Sequence, residues 1–72
     1  MITRKQVRAA RAALGWGVRD LGERAGISFN TITRFENGAD MLSANLEKVQ
    51  RALEAEGVEF LNTGQPGIRW TE

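Results

Sequence analysis

The chain has 72 residues, 42% of them hydrophobic and 26% charged, a formal net charge of +1, and neither cysteine nor histidine. That length allows one small domain burying roughly 60% of its unfolded surface. The missing residue types exclude disulfides, thiolate nucleophiles, Cys/His zinc sites and histidine acid–base catalysis. The charge-free stretches, 25–33 and 60–68, are about nine residues long, against the ~20 that span a bilayer. Arg4, Lys5, Arg8 and Arg11 interrupt the N-terminal segment where a signal peptide would carry an apolar core. The expectation is a small cytoplasmic protein without membrane contact, metal or cofactor.

The net charge hides a division. Residues 1–36 carry seven basic and three acidic side chains, a net +4, whereas residues 37–72 carry three and six, a net −3. A basic half joined to an acidic half points to one face for a polyanion, unless the charges are simply scattered over solvated helices.

Thr3 and Gln6 fit a capping box, with Ile2 and Val7 as its hydrophobic staple. Val7, Ala10 and Leu14 recur at helical spacing and Gly15 supplies a left-handed stop, which predicts a first helix over 4–14. A second, over 18–25, has the stripe Val18, Leu21, Ala25 and ends at Gly26. Gly17 is a poor substitute for a Ser or Thr cap, and Gly22 lowers helix propensity by roughly 1 kcal/mol relative to Ala. So short a helix must be held by packing, and Gly22 permits a close approach. Ser28 caps a third helix over 29–36, with Ile32 and Phe35 inward and Asn37-Gly38 as the stop. After a looser stretch, Ser43 is expected to cap a fourth helix whose core stripe is Leu46, Val49 and Leu53 and which Gly57 ends. The tail then alternates: Val58 and Phe60 fall on one face of their strand and Ile68 and Trp70 likewise on theirs, so that the four can share one apolar face, around the turn formers Asn62 to Gly67. This predicts an antiparallel hairpin.

Two motif searches fail. Gly15-Trp16-Gly17 opens like a dinucleotide fingerprint, but Asp20 occupies the third glycine position and no strand precedes it. Glu54 and Glu56 read as solvated helix surface, with no second domain to make a cleft. No catalytic constellation remains, and the chain is expected not to be an enzyme. What remains is a geometry: helices 18–25 and 29–36 joined by Gly26-Ile27-Ser28, where the glycine allows the bend, Ile27 plugs the corner and Ser28 restarts the chain. This is a helix-turn-helix, whose second helix can lie in the DNA major groove.

At Leu21, Gly26, Ile27, Ser28, Thr31, Ile32, Phe35, Glu36 and Gly38 the sequence resembles the phage-repressor-like (XRE) family of helix-turn-helix regulators. The resemblance extends over residues 4–55, and the tail from Leu53 is similar to that of short bacterial members ending in a strand. It implies a mainly α, four-helix, lambda-repressor-like DNA-binding domain over 1–57. The C-terminal β-hairpin, 58–72, would be a dimerisation element of the same domain. Several positions depart from the family pattern. Val18 stands where many members have Gln, Gly17 where Ser or Thr is usual, Gly22 where Ala is usual, and Ala39-Asp40-Met41 where basic residues are common. Backbone contacts would then rest more on the arginines.

The resemblance makes 29–36 the recognition helix. Phe29, Asn30, Thr33 and Arg34 would meet base edges: Asn can bond adenine, Thr and Phe can pack on a thymine methyl, and Arg can pair with guanine or phosphate. Phe29 is alternatively a core or dimer contact. Backbone phosphates would be met by the N–H groups of Gly17, Val18 and Asn37 and by Arg11, Arg19 and Ser28. Arg11, a charge among the apolar positions of the first helix, needs a partner, and the resemblance pairs it with Glu36. Val58, Phe60, Leu61, Ile68 and Trp70 would form the dimer interface. The function expected is a regulator, most simply a repressor, binding a palindromic operator in double-stranded DNA as a homodimer. The alternative is an antitoxin or other protein-interaction module whose C-terminal half grips a toxin or another protein partner.

Overall fold

The computed structural model describes residues 2–61 and the backbone of 67–70. Four helices, α1 (Arg4–Leu14), α2 (Val18–Ala25), α3 (Phe29–Glu36) and α4 (Ser43–Glu54), precede strands β1 (Val58–Leu61) and β2 (Gly67–Trp70). The strands pair antiparallel, Val58 opposite Trp70 and Leu61 opposite Gly67. The expected turn lies outside the described residues except for Gly67, as do the side chains of Ile68 and Trp70.

Local chemistry accounts for most helix ends. Thr3 and Gln6 form the reciprocal capping box: the Gln6 N–H donates to Thr3 Oγ1 at 3.2 Å and the Thr3 N–H to Gln6 Oε1 at 2.8 Å. Gly15 closes α1 with φ 71°. The start of α4 corrects the sequence reading. Ser43 is already the first helical residue, and the cap position is Leu42, whose carbonyl accepts the first helical bond, from the Leu46 N–H at 3.0 Å. Leu42 has extended backbone and no side chain able to cap. At the other end the last turn tightens, and Gly57 leaves it with φ 92°.

The core gathers one stripe from each element: Val7 and Ala10, Leu21, Ile32 and Phe35, then Leu46, Val49 and Leu53, with Ile2 and Val58 closing its edges. Each buried aliphatic side chain contributes on the order of 1.5–3 kcal/mol, and together they supply the packing that the short α2 and α3 lack alone. Val58 is only 3% exposed and Phe60 packs against the same core. Val58 is thus buried within the domain's own core, and the half-buried Phe60 packs beside it. Gln6, 2% exposed, donates from Nε2 to the Leu61 carbonyl at 3.1 Å and so ties the start of α1 to the end of β1. No helix among the described residues is long and apolar enough to cross a membrane.

Candidate nucleic-acid interface

The corner between α2 and α3 is built on two glycines. Gly26 has φ 73°, a left-handed conformation that strains any residue with a Cβ. Its N–H and that of Ile27 both donate to the Gly22 carbonyl, at 2.8 and 3.0 Å. The chain then folds back so closely that a Cβ at Gly22 would lie 2.9 Å from the Ile27 carbonyl oxygen and 3.3 Å from the Phe29 nitrogen. The alanine usual in the resembling family would press on backbone here. Gly22 thus sets where α3 begins.

From that corner α3 runs across the domain with Ile32, Phe35 and Glu36 buried. The Ser28 hydroxyl accepts from the Asn30 N–H at 3.2 Å, capping the helix. Asn30 and Arg34 are exposed on the opposite side and Phe29 is exposed at the corner, while Thr33 is half-buried and its hydroxyl donates to the Phe29 carbonyl at 3.0 Å. The Thr33 proton is thereby engaged within the helix, and its methyl and one lone pair are what it can offer outward.

The far end of α3 is clamped by three arginines of α1, at positions 4, 8 and 11, which share one helix face. Arg4 Nε donates to the Phe35 carbonyl at 3.0 Å, its Nη2 to the Gly38 carbonyl at 3.3 Å, and its guanidinium lies over the Phe35 ring. Arg8 Nη2 donates to the Glu36 carbonyl at 3.1 Å, and its Nε lies 3.5 Å from Glu36 Oε1. Arg11 makes a two-pronged bond to the Glu36 carboxylate, Nη2 to Oε1 at 2.8 Å and Nε to Oε2 at 3.0 Å, while Nη1 donates to the Trp16 carbonyl at 3.0 Å. Cations at a helix C-terminus meet the negative end of its dipole. The hydrogen bonds that Arg11 donates to Glu36, together with the charge of that carboxylate, hold the guanidinium protonated above its ordinary range, against the opposing pull of partial burial. The sequence reading found the partner of Arg11. It missed Arg4 and Arg8, although their i, i+4, i+7 spacing with Arg11 was visible.

Two more arginines stack on aromatic rings at the outer surface: Arg19 lies over Phe29 at 4.7 Å and Arg24 over Trp16 at 5.3 Å. The Asp20 carboxylate accepts from the Gly17 N–H at 2.8 Å at the start of α2. That bond engages the Gly17 N–H, and the Asn37 N–H donates back to the Thr33 and Arg34 carbonyls at 3.1 and 3.2 Å. Both groups were expected to meet phosphates. The correction follows from helix-end accounting: each has an internal acceptor. The N–H of Val18 opens α2 at its first helical position.

Two short helices at a glycine corner, with the second helix exposing polar, aromatic and basic side chains, define the helix-turn-helix class of DNA-binding domains. Residues 4–60 match the family described as "Helix-turn-helix domain", and the chain belongs to it. The family points to a DNA-binding regulator and is typically non-enzymatic. Its match runs from the start of α1 into β1. No curated protein matches the chain.

Proposed function

We propose that this chain is a sequence-specific regulator of transcription, a repressor of the phage-repressor-like type that occupies a palindromic operator as a dimer. The observation that carries the reading is the two-sidedness of α3: Ile32, Phe35 and Glu36 are buried, while Asn30 and Arg34 face outward and Phe29 is exposed at the first position of a helix braced at both ends. A braced helix presents its side chains at fixed spacing, which base readout requires. In this reading Asn30 bonds an adenine edge, Phe29 and the Thr33 methyl meet thymine, and Arg34 reaches guanine or a neighbouring phosphate. Arg19, Ser28, the Val18 N–H and the exposed Asn37 side chain contact the DNA backbone. Arg11, with all three nitrogens engaged internally, holds α3 instead.

A single module of this kind covers roughly 600–1,000 Å² on DNA, so useful specificity calls for two copies. Residues 58–72 belong to the same domain in this reading and contribute the dimer contacts, with Leu61, 37% exposed, as the apolar residue still available on β1. The test is selection from random duplex DNA, followed by affinity measurement over a range of salt. Recovery of an inverted repeat with salt-dependent binding supports the proposal. Selection of no sequence, with a second protein co-purifying, favours a protein-interaction module.

A further inference from the structure

We propose that the Arg19–Phe29 couple is a reader of the 5-methyl group of a pyrimidine in the major groove. It would recognise thymine at one operator position and accept 5-methylcytosine there in preference to cytosine. The inference rests on the reading of α3 as the recognition helix and assigns the chemistry of its first residue.

Phe29 is a large apolar side chain left 36% exposed at the first position of α3. It has no hydrogen-bonding group, so it can distinguish bases only by apolar contact, and the only apolar projection on a base edge in the major groove is the pyrimidine 5-methyl. Its backbone passes so close to Gly22 that a Cβ added there would meet the Phe29 nitrogen and Cα at 3.3 and 3.4 Å. Its ring is fixed as well, by the Arg19 guanidinium 4.7 Å from the centroid. The stack holds the ring against solvent on one side and keeps a cation beside it, so the approach of a polyanion is favoured where the ring waits. Beside the ring, Arg19, Glu23, Ile27, Ser28 and Phe29 line an open groove of about 420 Å³. A fixed ring with an adjoining recess can seat a methyl group at little entropic cost. Thymine and 5-methylcytosine carry that methyl at the same ring carbon, so a contact confined to it does not separate them.

The experiment uses the selected duplex, with each thymine replaced in turn by deoxyuracil and each cytosine by 5-methylcytosine, titrated with the full chain and with Phe29→Ala. Loss of one methyl at the contacted position should weaken the wild-type protein about three- to fourfold, the factor that one buried methyl-sized group is worth. Phe29→Ala should not feel the change, and with that base pair replaced, a 5-methylcytosine·guanine pair should bind the wild-type protein better than a cytosine·guanine pair. Phe29 is exposed, so the variant should keep the wild-type circular dichroism melt. If it does not, Phe29→Gln, which keeps the bulk at this exposed position, takes its place in the same series: methyl sensitivity lost with it supports the proposal, and sensitivity kept overturns it. Selective DNA binding in which no methyl is felt, or in which Phe29→Ala feels it equally, overturns this inference and leaves the DNA-binding reading intact. Failure to select any duplex overturns both.

Discussion

The Arg11 guanidinium and the Glu36 carboxylate meet in a fork, 2.8 and 3.0 Å, across 25 residues of chain, with the Glu36 side chain 4% and the Arg11 side chain 21% exposed. Removing the cation would strand a buried carboxylate, so Arg11→Ala should destabilise the domain by ~3–5 kcal/mol. Arg8, 58% exposed and 3.5 Å from the same carboxylate, should cost only ~0–1 kcal/mol when replaced by alanine. Urea denaturation of both variants checks the contrast, and equal losses would remove Arg11 from its bracing role. The pair should also be insensitive to alkaline buffers. The folded-state pKa of Arg11 is raised, so its contribution is complete below the ordinary arginine value and fades only as pH rises through the elevated one.

Gly22→Ala sets two effects against each other. Alanine improves helix propensity by about 1 kcal/mol, yet its Cβ would lie 2.9 Å from the Ile27 carbonyl oxygen, and overpacking against backbone costs ~1–3 kcal/mol. The expected outcome is a lower melting temperature together with weaker DNA binding, because the start of α3 must shift. A stabilised variant would show that the corner yields easily.

Asn30→Ala and Arg19→Ala should differ in kind. The first should flatten preference at one base pair by ~1–3 kcal/mol. The second should weaken binding to all sequences and lower the salt slope by about one, besides freeing the Phe29 ring. Affinities for a panel of single-base operator variants, at several salt concentrations, separate the two. Unchanged base preferences in Asn30→Ala would mean that α3 does not dock as proposed.

For the dimer, Leu61→Asp is the informative change, since it alters a 37% exposed side chain while keeping the backbone carbonyl that accepts from Gln6 Nε2. Sedimentation at micromolar concentration should show a folded monomer that binds a half-site normally and a palindrome weakly. Two recognition helices ~34 Å apart, one DNA turn, need the dimer to be placed. An undiminished dimer would move the interface away from β1.

The sequence by itself determined the helices. Thr3, Ser28, Gly15 and Gly26 act on their own and adjacent turns, and the apolar stripes repeat with the helical period, so α1, α2 and α3 could be bounded before any packing was known. It also marked Arg11 as a charge in need of a partner, and α3 as the helix with chemistry on one face. Tertiary structure decided what each side chain meets. Arg4, Arg8 and Arg11 converge on the end of α3 from 25 to 34 residues away, a convergence fixed by how two helices cross. The same packing puts backbone against Gly22, turns Val58 inward and sets Arg19 over Phe29. Caps and periodicity act over a few residues, whereas these contacts exist only once the core has set the elements side by side.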